Sequence, residues 1–312
     1  MQAKGATLST GPVPTGGAVQ AQDEWGFWDE FLDYDWRGLV HKPWFKLTVV
    51  ALISLAILFL PLLQVVNVEW FGKDTYYAHG SIIPFCAVYV LYDWWPDLHR
   101  LRVKGSLFAL IPLFGALYLN MVAILTNQVP LMSSVALMIM IASVIWLLAG
   151  FRWVIATSPI MALLTFMLPV WRVYIDTYTL PLVNISTEIS YALLKLLGQG
   201  PYRASESVVM LNNFVLNVAE PCSGLKLILA VFSLAAFFML VARLSFWGNL
   251  VLFLSALPLC LALNGLRIAM IGIVGNQFGK AAGTAFHDYS GYITLALCFY
   301  LLMKLTRLLG WK

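Results

Sequence analysis

The stretch VAEPCSGLKLILAVFSLAAFF, residues 218–238, decides how the chain is read. Past Gly224 it is almost wholly apolar and long enough to begin a helix crossing the hydrocarbon core of a membrane, which takes about 20 residues. Immediately ahead stand Glu220, Pro221, Cys222, Ser223 and Gly224, and Lys226 follows the cysteine by four residues. A thiol at the mouth of such a helix is either packing material or a nucleophile set where the chain enters the bilayer.

The rest of the chain has the same character. Of its 312 residues, 61% are hydrophobic and 11% charged, with a mean hydropathy of +0.83. Soluble domains carry about a quarter charged residues. This composition excludes a soluble globule and implies an all-α polytopic membrane protein. The net charge of +4 does not point to nucleic acid, because the basic residues sit in short loops between apolar runs. Cys86, Cys222, Cys260 and Cys298 follow no metal or disulfide spacing, and neither a metal nor another cofactor is expected.

About eight spans are expected, at 44–66, 81–95, 106–125, 131–149, 154–171, 222–242, 247–276 and 289–308. The seventh contains Pro258 and Gly265, where a bend is expected. Residues 1–43 read as a cytoplasmic tail followed by an aromatic, acidic amphipathic segment at the membrane surface. Residues 44–308 form the transmembrane domain, and 309–312 the cytoplasmic C-terminus. Lys and Arg concentrate in loops on the cytoplasmic side. With both termini inside, twelve of the nineteen fall there and six outside, Arg267 lying within a span. That orientation makes residues 172–221 an extracytoplasmic segment. Within it, LVNISTEISYALLKLLG has Leu193, Leu196 and Leu197 on one side and reads as an interfacial helix. The following SVVMLNNFVLNVA is strand-like and leads into Cys222.

Charged or titratable groups at membrane depth are costly and are candidates for function. Cys222 opens a helix whose N–H groups stabilise a thiolate. Lys226, on the same face, acts in the same direction, and Glu220 opposes it. Gly224 permits close approach by another backbone or a substrate. Arg267, in LALNGLRIAMIGIVG, keeps its proton and so needs a partner or a polar cavity. One reading pairs it with Glu188, Glu206 or Glu220. The other makes it a fixed cation for a substrate carbonyl or an oxyanion. Asn264 lies one turn earlier on the same face. His287, in GTAFHDYSGYITL, reads as a loop residue before the last span, either merely exposed or a proton carrier. His79, in DTYYAHGSIIPF, competes for that role. On the expected topology Cys222, Arg267 and His287 reach one membrane face.

These motifs together resemble the exosortase/archaeosortase family of integral membrane cysteine transpeptidases. The likeness rests on AEPCSGLK at 219–226, NGLRI at 264–268 and FHDYSG at 286–291. Further support comes from YYAHGSIIP at 76–84, with its Tyr77-x-His79-Gly pattern, and from FMLPVW at 166–171. The resemblance covers about residues 44–308 and makes that span the catalytic domain. It implies Cys222 as nucleophile, with Arg267 and His287 as the second and third catalytic residues. Asn264, Lys226, Glu220, Ser223, Gly224, His79 and Tyr77 would bind substrate or support the site. The family's cysteine motif usually ends in arginine, and Lys226 keeps the charge but loses bidentate geometry.

Membership implies a location in the inner (plasma) membrane with the active site on the extracytoplasmic side. The implied partners are exported proteins carrying a C-terminal sorting signal, namely a short motif often containing Pro-Glu-Pro, one membrane helix and a basic tail. An amine, lipid or glycan would accept the cleaved chain, and the surrounding membrane lipid is itself a partner. Two other classes stand beside this one. A transporter or channel would use Arg267 as an anion site, but the chain lacks the matching halves such folds show. A non-catalytic partner in exopolysaccharide or surface assembly would not need Cys222. A serine protease built on Ser223 lacks the Gly-x-Ser-Gly setting.

Overall fold

A computed structural model describes residues 53–72, 75–218 and 224–311. The segment at 1–43 lies outside the described residues, as do Glu220, Cys222 and Ser223. The chain divides into two compact units, Met1–Ala56 and Ile57–Lys312, and every element named here belongs to the second.

The helices are α1 (Leu60–Phe71), α2 (Ile83–Leu98), α3 (Leu110–Leu125), α4 (Ser134–Leu148), α5 (Phe151–Leu164) and α6 (Arg172–Leu196). Three short strands follow: β1 (Tyr202–Arg203), β2 (Val208–Met210) and β3 (Val215–Asn217). The chain ends with α7 (Leu225–Ala242), α8 (Phe246–Phe278) and α9 (Lys280–Leu308). Among the described residues, five helical stretches are long and apolar enough to cross a membrane: Leu107–Leu125, Val129–Leu148, Leu225–Ala242, Phe246–Phe278 and Lys280–Leu308. The spans expected at 81–95 and 154–171 correspond to the shorter α2 and α5, of 16 and 14 residues. The one expected at 44–66 is described only from residue 53. The chain is a mostly helical, polytopic membrane protein.

Helix α3 shows why these sequences pack as they do. Its inner face carries Ala116, Asn120 and Ala123, while Ile111, Phe114, Tyr118 and Leu125 point outward. Small residues inside and large ones outside invert the pattern of a soluble helix. Lipid is as apolar as leucine, so close backbone approach rather than water exclusion drives the packing. Asn120 donates through Nδ2 to the carbonyl of Leu58 at 2.9 Å. Ser143 and Thr157 donate to Ile139 and Trp153, one turn back, each at 2.7 Å. These three side chains thus satisfy their donors in apolar surroundings.

Helices α7 to α9 and the turn between α1 and α2 carry the candidate site, and α6 and the sheet pack against α8 beside it. Helix α6 packs along α8 through Val183, Ser186, Ser190 and Leu194, all buried. Leu196 and Leu197, on the side expected to be apolar, are exposed, Leu196 by 82%. Small hydroxyl residues make up half the contact stripe, because Gly265 lets α6 come very near. A Cβ on Gly265 would stand 2.2 Å from Ile189 Cγ2. The strand-like stretch does form strands, joined in the antiparallel order β1-β2-β3.

Helix α8 runs unbroken through Pro258 and Gly265 for 33 residues. Gly279, at φ 88°, reverses the chain, and α9 starts at once with Lys280. The last span thus begins nine residues earlier than expected, and His287 is helical rather than in a loop. The polar residues of KAAGTAFHDYSGY break the apolar run without breaking the helix.

Candidate active site

Arg267 joins α8 to α9. Its Nε donates to Ser290 Oγ at 3.0 Å and its Nη2 to the carbonyl of His287 at 3.1 Å. Ser290 is buried and donates its own hydroxyl to that carbonyl at 3.2 Å. A planar guanidinium makes two such bonds in fixed directions, which an ammonium does not. Of the acids considered for it, Glu188 pairs with Arg203, and Glu206 accepts from Asn184 Nδ2 at 3.2 Å. The third, Glu220, lies outside the described residues.

The His287 ring is about one-third exposed, and its Nδ1 stands 3.2 Å from Asp288 Oδ1. An ionised carboxylate only accepts hydrogen bonds. In the tautomer with its proton on Nδ1, the imidazole donates to this carboxylate and presents the Nε2 lone pair. Asp288 escaped the reading of the sequence, although its place directly after His287 was the available signal.

Asn264 ties three helices together. It is buried and donates through Nδ2 to Ser186 Oγ on α6 at 3.1 Å. On its other side lies Gly224, the residue that starts α7 with φ 82°. A Cβ on Gly224 would stand 2.8 Å from Asn264 Nδ2. The Cys-Ser-Gly motif and the Asn-Gly-Leu-Arg motif are thus in van der Waals contact through these two residues. Ser186 is a second residue that the sequence did not single out.

The turn carrying Tyr77 and His79 sits between α1 and α2. The Tyr77 ring is buried and stacks near His79, with centroids 6.3 Å apart and planes at 21°. Burial pushes His79 down to about 4, against a hydrogen bond with the Phe166 backbone that raises it. The imidazole is neutral at pH 7. Trp70 Nε1, on α1, donates to Met167 O at 2.9 Å, so α1 and the YYAHG turn are both held to the FMLPVW segment.

One cavity of about 400 Å³ gathers these pieces, with His79, Gly224, Lys226, Arg267, His287 and Asp288 in its wall. Asn264 stands behind Gly224, and Tyr77 behind His79; neither lines the cavity. Cys222 is two residues ahead of Gly224 in sequence, outside the described residues. Among the described residues no group of three or more His, Cys, Asp or Glu side chains could hold a metal ion.

The fold and this cavity define a polytopic membrane protein with a cationic, titratable pocket built from α7, α8, α9 and the α1–α2 turn. A model of the family described as transmembrane exosortase (Exosortase EpsH) matches residues 70–304, well over half the chain, which therefore belongs to that family. Its members are membrane transpeptidases or proteases, generally of the cysteine type, that act in sorting. No curated protein and no solved structure matches the chain.

Proposed function

We propose that this chain is a cysteine transpeptidase that removes the C-terminal sorting signal of exported proteins. The observation that carries the reading is the single cavity bringing Arg267, His287, Lys226 and His79 to the start of α7. Cys222 lies two peptide units from Gly224 in that wall, which limits their Cα separation to about 7 Å.

In the reaction, His287 Nε2 takes the thiol proton and the Cys222 thiolate attacks the scissile carbonyl, forming a C–S bond. Arg267 stabilises the resulting oxyanion. Collapse breaks the C–N bond, and the proton passes from His287 to the leaving amine. The thioester then transfers its acyl group to an amine-bearing acceptor, lipid or glycan, or to water. Lys226 favours the thiolate, while Glu220 and Ser223 flank it. Gly224 and Asn264 fix the loop against α8, and Tyr77 and His79 close the opposite wall.

The enzyme sits in the inner membrane with both termini cytoplasmic and about eight spans. The segment 172–221 and the site lie on the extracytoplasmic side. The transmembrane catalytic domain is 44–308, between the cytoplasmic segments 1–43 and 309–312. A substrate helix docks laterally, its basic tail kept inside by the same charge rule that orients the enzyme. The test is Cys222→Ala, expressed with a tagged exported protein that ends in one membrane helix and a basic tail. No trimming is expected, and trimming at the parent rate overturns the reading.

A further inference from the structure

Of the two outer edges of the short sheet, that of β3 faces a second cavity. Among the described residues, strand β3 pairs with β2 alone. Antiparallel partners alternate between hydrogen-bonded and non-bonded pairs. Leu211 N–H donates to Phe214 O and Val218 N–H to Ser207 O, each at 2.8 Å. The register places Val209 opposite Leu216, between these two bonded pairs. Val215 and Asn217 are then the non-bonded members, and their N–H and C=O groups point away from β2. Among the described residues no hydrogen bond satisfies them.

Those two residues line a cavity of about 420 Å³, walled by Ile268 and Ile271 of α8 and by Lys280 and His287 of α9. His287 also lines the first cavity, so the strand edge leads to the same imidazole as the cationic pocket. The edge is fixed in place, since Leu216 and Val218 are buried with Val209, Leu211 and Ile268 in one apolar cluster. Natural proteins usually blunt an open edge with charge or proline. Here neither stands on Val215–Asn217.

We propose that the free edge of β3 is the dock for the substrate peptide. The exported chain on the N-terminal side of the scissile bond lies extended beside Val215–Asn217 as a fourth strand. It exchanges main-chain hydrogen bonds with Val215 and Asn217. This rests on the transpeptidase reading above. Only that side of the bond fits the edge: a membrane helix has already satisfied its own backbone, whereas an extended segment has alternate groups to offer. The strand also runs within five residues of Cys222, so a peptide registered on β3 is registered on the chain segment carrying the nucleophile.

Proline tests this selectively, because at Val215 or Asn217 it removes an outward N–H and leaves the ladder to β2 intact. Full-length Val215→Pro and Asn217→Pro are expected to trim the tagged substrate at least tenfold more slowly, and Asn217→Ala, which keeps the main-chain donor, to lose clearly less than Asn217→Pro. Parent-rate trimming by both proline variants, with Cys222→Ala inactive, overturns the dock and leaves the enzyme reading standing. Equal loss in Asn217→Ala and Asn217→Pro assigns the effect to the side chain and also overturns it. Should the proline variants fail to fold, substrates N-methylated at successive residues before the cut decide the matter. Loss at alternate positions is expected, and uniform tolerance overturns the proposal.

Discussion

Arg267 Nη2 donates to the main-chain carbonyl of His287 at 3.1 Å, so the cation and the imidazole are set by one contact between α8 and α9. The arginine is held by the residue whose side chain it would work beside. Its position is thus a property of the helical hairpin, not of a flexible side chain reaching into a cleft.

Arg267→Lys should abolish most activity. A lysine keeps the charge but loses the directed bonds to Ser290 Oγ and His287 O. Hydrogen bonds from charged groups contribute about 1.5–3 kcal/mol each, so a drop on the order of 100-fold in trimming rate is expected. Ser290→Ala removes one of the two and should cost less, about tenfold. Initial trimming rates in membranes read both, and an unchanged rate in Arg267→Lys removes guanidinium geometry from the mechanism.

Gly224→Ala should both destabilise the protein and slow it. The residue adopts φ 82°, a region that costs a non-glycine residue about 1–2 kcal/mol. Its new Cβ would also press on Asn264 Nδ2 from 2.8 Å. Thermal unfolding in detergent should show a lower midpoint than the parent. Adding Asn264→Ala relieves the clash but not the backbone, so the double variant should recover only part of the loss. Full recovery would mean that the left-handed backbone costs nothing here.

Much of the site was legible in the sequence because membrane chemistry makes polar residues conspicuous. Arg267, His287, His79 and Lys226 stood out against apolar surroundings, and one cavity receives all four. Asn264 was found through its one-turn spacing from Arg267, although its buried place behind Gly224 depends on tertiary packing. Ser186 and Ser290 were not legible, since a small hydroxyl in a helix looks alike whether it supports a neighbour or bonds its own turn. The start of α9 is not legible because an apolar run marks a membrane helix, and its first turns around His287 are polar. The contact face of α6 was not legible either, as glycine-mediated approach selects small residues there.

Gly265→Val tests that close approach. Its side chain would meet Ile189 where even a Cβ is only 2.2 Å from Cγ2, forcing α6 away from α8. The Asn264–Ser186 hydrogen bond at 3.1 Å crosses the same seam and should break with it. A fall in the unfolding midpoint and a loss of trimming are expected together. Ile189→Ala in the same chain makes room and should restore part of both. A Gly265→Val protein with parent stability would show that the helices separate without cost.

The buried imidazole of His79 gives the fold an acid-side weakness. Its pKa is pushed down to about 4 from an ordinary 6.5, chiefly by burial. Between those values the unfolded chain binds a proton that the folded chain refuses, so protonation favours unfolding as pH falls. Above about 6.5 both states are neutral at this position and it contributes no pH dependence. The unfolding midpoint should therefore drop between pH 7.5 and pH 5. His79→Phe gives up the hydrogen bond to the Phe166 backbone and should start lower at pH 7.5. It should also lose less on acidification, because no proton is gained at that site on unfolding. Parallel slopes for the two proteins across that range would assign the acid sensitivity to other groups and leave His79 without this role.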